Sequence, residues 1–313
     1  MVKRWKIFRL PLLLALAALG PFAAGSFAAD NDRGTLIREE TLYASAGASS
    51  QKLSQVSRGT DLTVLERTNA DGQPWIKASL AADQAQISKE VTGWLPAKTL
   101  ITSSTANGDQ IIFGQAVDSE RQAEERGGRK GAAEDALRLY ARVPELFPGS
   151  PLAAEAMWRA ADIRWQLAKP GLLRSGAPME EKYLKEVIAK FPQSKQAELA
   201  AFDLLEGKLC AEWRGQAECP EKESVLFEQY AHEHPQSPKA AEALFHAAWR
   251  QAALADIHRI NNDREKSEAA RKKALALAQQ ISSQYPEGDW KPRALDLVYK
   301  LEKKITLYGP AEE

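Results

Sequence analysis

Cysteine is nearly missing from this chain: Cys210 and Cys219 are the only two in 313 residues. That excludes a disulfide-dense scaffold, and with no His or further Cys beside them it excludes a thiolate zinc site. Histidine is scarce as well, with His232, His234, His246 and His258 making up the whole set. His232-Glu233-His234 lacks the three-residue advance of a zincin helix, so no metal is expected and His234 reads as a structural residue. Net charge is absent, 42 Lys+Arg balancing 42 Asp+Glu. Arg271-Lys272-Lys273 reads as a solvated helix face, and phosphate backbones would find little positive potential, so no nucleic-acid partner is expected. The apolar run Leu10–Ala18 is shorter than the roughly 20 residues a spanning helix needs. Also missing are a Gly-x-Ser-x-Gly elbow, a Walker loop and a dinucleotide fingerprint. No catalytic set and no cofactor are expected.

What is present has ordinary globular proportions, 44% hydrophobic and 27% charged. The length suits about two domains. Lys3, Arg4, Lys6 and Arg9 precede the apolar run, Gly20-Pro21 ends it, and Ser26-Phe27-Ala28 offers small residues at a cleavage site. This arrangement predicts a signal peptide over 1–28, cut after Ala28, and an exported protein in the periplasm or outside the cell. The rival is an uncleaved anchor, the one case in which a membrane contact is expected. No Cys follows the run closely enough for lipid anchoring. Removal of 1–28 takes away four basic residues and leaves 38 against 42 acidic. In an oxidising compartment Cys210 and Cys219 are expected to pair.

Residues 29–102 read as short strands. Thr60–Leu65 alternates polar and apolar, Asn69-Ala70-Asp71-Gly72 supplies a turn, and Trp75–Ala78 and Gly93–Pro96 follow as strands. Short strands so punctuated predict a small antiparallel barrel. The order Leu42-Tyr43-Ala44, Arg58-Gly59-Thr60, Val64-Leu65-Glu66, Asp71-Gly72, Trp75-Ile76-Lys77 and Gly93-Trp94-Leu95-Pro96-Ala97 resembles a bacterial SH3 domain. The stretch Ser79–Thr92 is longer than the tight hairpin such a domain would have there. The resemblance implies an SH3-like barrel contacting peptidoglycan or peptides. Aromatic side chains beside a shallow groove would make the contact, with Tyr43, Trp75 and Trp94 as candidates and Pro96 next to them. The alternative is that these tryptophans plug the barrel.

Thr102–Gly108 is polar and small, which predicts a linker over 103–130. Within it Ile111-Ile112-Phe113 suggests an extra strand on the barrel, and Asp118–Lys130 a solvated helix broken at Gly127-Gly128. From 131 to 307 the punctuation is helical, leaving 308–313 as a tail. Phe147-Pro148, Phe191-Pro192, His234-Pro235 and Tyr285-Pro286 recur with prolines 44, 43 and 51 residues apart, predicting one helical hairpin per repeat. Five residues before each proline stand Val143, Val187, Tyr230 and Ile281; nine before stand Leu139, Tyr183, Leu226 and Leu277. After the prolines come Ala153, Ala197 and Ala240, then Trp158, Phe202 and Phe245, then Ala160, Leu204 and Ala247. With a longer loop the fourth repeat adds Ala294, Tyr299 and Leu301. Such columns predict one buried face per helix. Each proline ends a helix, Ser150, Ser194 and Ser237 cap the next, and Pro151 and Pro238 fall at first helical positions. The pattern resembles divergent tetratricopeptide repeats of periplasmic envelope-assembly proteins, with a longer period. Trp158 and Trp165 are expected in the core.

The fold expected is therefore multidomain: a small all-β SH3-like barrel plus an all-α solenoid of tetratricopeptide-like hairpins. The function expected is a non-enzymatic adaptor, its barrel taking a cell-wall or peptide ligand and its repeats a protein partner. Alternatives are a structural subunit of an envelope complex whose barrel has no ligand, and an accessory subunit of a cell-wall enzyme.

Overall fold

Alternation along the early segments produces a sheet. The computed structural model describes residues 33–80, 91–175 and 181–309, with side chains for all of these but 169–175. The expected signal segment, most of the Ser79–Thr92 stretch and the last residues of the tail lie outside these. Strands β1 (Arg33–Leu36), β2 (Glu40–Tyr43), β3 (Lys52–Val56), β4 (Asp61–Ala70), β5 (Gln73–Leu80), β6 (Val91–Pro96) and β7 (Leu100–Thr102) form one curled antiparallel sheet, ordered β3-β2-β6-β5-β4-β1-β7. One face closes over Leu36, Leu42, Val56, Leu62, Val64, Ile76, Ala78, Leu80, Leu95 and Leu100. Asp71 and Gly72 turn β4 into β5 with φ of 51° and 71°, the doubly positive pair a two-residue hairpin needs to match strand twist.

Helices follow: α1 (Gly108–Glu124), α2 (Ala132–Leu146), α3 (Ala153–Ser175), α4 (Glu181–Lys190), α5 (Lys195–Glu206), α6 (Glu218–Glu233), α7 (Ala240–Ile260), α8 (Arg264–Gln284) and α9 (Trp290–Glu302). Each aromatic–proline or His–proline pair falls between two of them, so α2–α3, α4–α5, α6–α7 and α8–α9 are hairpins. The physical cause repeats with the sequence. Phe147, His234 and Tyr285 share φ/ψ near −133/65°, −126/58° and −127/60°, because the following proline ring pushes them out of the helical region. Ser150, Ser194 and Ser237 then donate their N–H to the carbonyls of Phe147, Phe191 and His234, and Gly288 does so to Tyr285 at 3.3 Å. Ser194 Oγ accepts from the Ala197 N–H at 3.1 Å. Pro151 and Pro238 lie in the turn rather than in the helix; α3 and α7 begin two residues later.

The columns are mostly inward. Val143, Val187, Ile281, Ala153, Ala240 and Ala294 have no exposed surface, and Tyr230 and Ala197 are buried. Tyr299 breaks its column: it is 56% exposed on α9, where no described hairpin follows to cover it.

Residues 103–130 are not a spacer. Ile111-Ile112-Phe113 is helical, not an extra strand, because Ile112, Ala116 and Ser119 recur at helical spacing and are fully buried. The break does fall at Gly127-Gly128. Ile101 of β7 shares a core with Ile112, Leu139, Tyr140 and Val143, so sheet and helices belong to one compact unit. Gly59 makes this docking feasible: at φ +74°, a Cβ there would sit 2.6 Å from the Arg138 Cβ. Arg138 Nε donates to the Arg58 carbonyl at 3.1 Å, and Arg58 reaches Ser119 Oγ at 2.9 Å. Asp61, 7% exposed, pairs with Arg142 of α2 at 2.9 Å and with Arg33 at 3.1 Å. Burial raises the Asp61 carboxyl above the usual range against the pull of these guanidiniums. Nor is 308 the start of a loose tail: Leu307 and Tyr308 donate backbone N–H to Asp256 Oδ2 at 2.7 and 3.0 Å.

Candidate functional site

The face of the sheet opposite its core carries the predicted aromatics. Registered pairs Tyr43↔Trp94, Trp94↔Lys77 and Lys77↔Glu66 make one row across β2, β6, β5 and β4. A second row pairs Pro96 with Trp75 and Trp75 with Thr68. Directly opposed side chains sit about 5 Å apart at Cβ, close enough to form one continuous strip. Tyr43, Trp94 and Pro96 are half-buried and retain accessible surface. Lys77 Nζ holds Glu66 Oε1 at 2.6 Å. The strip thus offers two aromatic rings, a proline and a charge pair, suited to the apolar face of a sugar or a peptide's proline together with a polar contact.

Trp75 is placed differently from the other three. It is 1% exposed, its Nε1–H donates to the Ala70 carbonyl at 3.1 Å, and the Tyr43 ring meets it edge-on at 5.5 Å. The β2–β3 loop is tied down beside it, the Ala48 N–H donating to Asp71 Oδ2 at 2.8 Å. Trp75 is therefore a floor beneath the strip and offers no open ring face. The sequence reading missed Lys77 and Glu66; their signal was the alternation Trp75-Ile76-Lys77-Ala78, which puts Lys77 beside the aromatics.

In the helical part the recurring aromatics are joints between hairpins. Trp158 and Trp165 of α3 donate Nε1–H to Asp203 and Glu206 of α5, both at 3.0 Å. Trp165 is 2% exposed and Trp158 is half-buried. Burial pushes the Asp203 carboxyl up to about 6 against the Trp158 hydrogen bond that lowers it, with Asp162 and Glu206 adding to the rise. Phe202 meets Phe227 and Tyr230 of α6 at 6.1 and 5.2 Å, and Phe245 meets Trp290 of α9 at 5.2 Å. A further joint runs through Glu120 of α1, which accepts from Tyr140 of α2 at 2.6 Å and from Arg159 of α3 at 2.7 Å.

Cys210 and Cys219 are bonded to each other. The loop they close is mostly exposed but anchored from below: Glu223, 1% exposed, accepts from the Cys210 N–H at 2.8 Å and from Trp213 Nε1 at 3.3 Å, and pairs with Arg250 at 2.7 Å. Trp213 packs on Trp249 and Tyr308, at 5.3 and 5.5 Å. His246, wedged between Phe227 and Trp290, is held below the usual histidine range by burial and by Arg250. His234 packs on Tyr230 at 4.8 Å. Among the described residues no group of three or more His, Cys, Asp or Glu is placed to hold a metal ion, and no helix is long and apolar enough to cross a membrane.

No protein-family model matches the chain, and no curated protein does. Among solved structures, a DHF58 filament aligns at 19% identity over 63% of this chain and 80% of that one, with a TM-score of 0.24 that is too low to argue a shared fold.

Proposed function

We propose that this protein is an exported, periplasmic or extracellular, non-enzymatic adaptor. Its sheet is read as an SH3-like barrel that takes a cell-wall glycan or an extended peptide on the Tyr43–Trp94–Pro96 strip. Its hairpins are read as a tetratricopeptide-like scaffold holding a protein partner. The observation that carries the reading is the convergence of three aromatic or proline side chains from β2 and β6 on one accessible face, beside the Lys77–Glu66 pair and over a buried tryptophan. The burial of Trp75 leaves open a second reading, in which the face is only the outer layer of a docking element in an envelope complex.

Binding of the full chain to purified peptidoglycan sacculi tests the proposal. Point variants are preferable to a chain starting at 103, which would lose Ile101 and Asp61 from the shared core. Tyr43→Ala and Trp94→Ala are expected to abolish retention while each chain still melts cooperatively from a folded state. Retention equal to that of the unmodified chain, or no retention of either, removes the barrel's proposed role in the cell wall.

A further inference from the structure

The disulfide loop reaches across to the residues that follow α9. Cys210 and Cys219 are nine residues apart and bonded to each other, which removes conformational freedom from the chain between them. That confinement holds Trp213 in place. Its ring meets Trp249 of α7 at 5.3 Å and Tyr308 at 5.5 Å, and its Nε1–H donates to Glu223 at 3.3 Å. Two residues on, the Gly215 N–H donates to the Tyr308 hydroxyl at 3.2 Å. Arg214 and Gly215 both take positive φ, 48° and 73°, a left-handed pair that is unfavourable for an arginine and that ring closure maintains.

Tyr308 belongs to the segment 303–309, and the rest of that segment's hold lies near the surface. Leu307 and Tyr308 are half-buried and donate backbone N–H to Asp256 Oδ2, Arg259 reaches Thr306 Oγ1 at 3.4 Å, and Ile305 is 46% exposed. Contacts of this kind bury little apolar area and open locally at low cost. Leu307 is also a wall of two clefts, one of about 480 Å³ beside Asp256 and Ser267 and one of about 420 Å³ beside Phe245 and Trp249. Where the segment lies therefore sets the shape of both.

We propose that the Cys210–Cys219 bond is a redox latch on the segment 303–309. Closed, it presents Trp213 and Gly215 to Tyr308; opened by a dithiol, it lets the segment leave α7. Both cysteines are half-buried, and Glu212, Arg214, Gly215 and Gln216 between them are exposed, so the bond can be attacked in the folded chain. One thiolate of the dithiol attacks a sulfur of the bond to give a mixed disulfide, the other cysteine leaving as a thiolate, and the second thiol of the dithiol then displaces the first cysteine. Two electrons and two protons pass to Cys210 and Cys219, and the dithiol becomes a disulfide. The Glu223–Arg250 pair, at 2.7 Å, lies beneath the loop and involves none of its residues, so α6 and α7 stay joined when the bond opens. The proposal is independent of the reading given for the sheet.

Amide hydrogen exchange of the full chain, read by NMR before and after treatment with dithiothreitol, tests this, with thiol counting to confirm reduction. Reduction is expected to speed exchange at the Leu307 and Tyr308 amides at least about tenfold, as a local opening does, and to leave the amides of α6 and α7 protected. Reoxidation should restore the slow rates. The chain carrying Cys210→Ser and Cys219→Ser should exchange like the reduced chain with no reductant present, and Tyr308→Ala should exchange fast at Leu307 in both states. Unchanged exchange at Leu307 and Tyr308 on reduction overturns the proposal, as does a bond that dithiothreitol opens only in denaturant. So does loss of protection throughout α6 and α7, which would make the bond a brace for the whole hairpin, or a Tyr308→Ala chain that still responds to reduction at Leu307.

Discussion

Asp203→Asn should make this protein more stable at neutral pH, with the gain vanishing in acid. Asp203 sits between α3 and α5, where burial raises its carboxyl from the usual value near 3.8 to about 6. The folded chain therefore binds this proton more tightly than the unfolded chain does. The stability associated with the neutral form is fully present below pH 3.8, declines as pH rises towards about 6, and is gone above that. A shift of this size corresponds to at most about 3 kcal/mol, and about 1–2 kcal/mol is reasonable for a half-buried group that still accepts the Trp158 hydrogen bond. Asparagine keeps an acceptor oxygen for Trp158 Nε1 and never ionises. Urea unfolding followed by tryptophan fluorescence at half-unit steps from pH 3.5 to 7.5 reads both chains. The variant should gain on the parent across the interval from about 4 to 6 and hold that gain to pH 7. A variant less stable than the parent at pH 7, or a difference flat across the interval, refutes the assignment of Asp203 as a carboxylate strained by burial.

Other outcomes follow from the same geometry. Trp75→Ala should cost about 3–5 kcal/mol in chemical unfolding, the usual range for emptying a buried aromatic site, whereas Trp94→Ala should cost under about 1 kcal/mol; equal costs would mean the strip is as structural as its floor. Gly59→Val should lower the melting temperature sharply, since it combines a positive φ with a Cβ clash against Arg138; an unchanged melt would show that α2 can step away from the sheet at no cost. The Cys210→Ser, Cys219→Ser pair should cost about 2–3 kcal/mol on the loop-entropy model and change the emission of Trp213, which the loop holds against Trp249 and Tyr308. Glu223→Ala should cost more than that double variant, about 3–5 kcal/mol, because it leaves the Arg250 guanidinium buried without its carboxylate; a smaller cost than opening the loop would reverse the order of importance.

The hairpins were legible because their cause is local. A residue before proline leaves the helical region wherever it occurs, so Phe147, His234 and Tyr285 could be read as helix ends from the dipeptide alone. The buried column Val143–Val187–Tyr230–Ile281 follows from helical period and needs nothing distant. Alternation likewise sets Tyr43 and Trp94 on the side of their strands away from the buried Leu42 and Leu95; the strand register then joins them to Lys77. Alternation could not say which aromatic is covered. Trp75 is the covered one: the Tyr43 ring from β2, 32 residues away, meets it edge-on and the Ala70 carbonyl takes its Nε1–H, and such a meeting has no sequence signature. Ile111-Ile112-Phe113 was misread for a similar reason. Three apolar residues suit a strand or a helix, and the choice was made by Tyr140 and Leu139 packing from α2.

The sequence by itself determined where helices stop, which faces are apolar and that a sheet precedes them. These are consequences of proline sterics and of periods of 2 and 3.6 residues. Only the tertiary structure decided that sheet and helices share a core, that Glu223 is paired with Arg250 beneath a disulfide loop, and that Tyr299 is the exposed member of its column. Those outcomes depend on which surfaces meet across tens of residues, and each is settled by volume and unpaired charge at the contact, quantities that no local pattern carries.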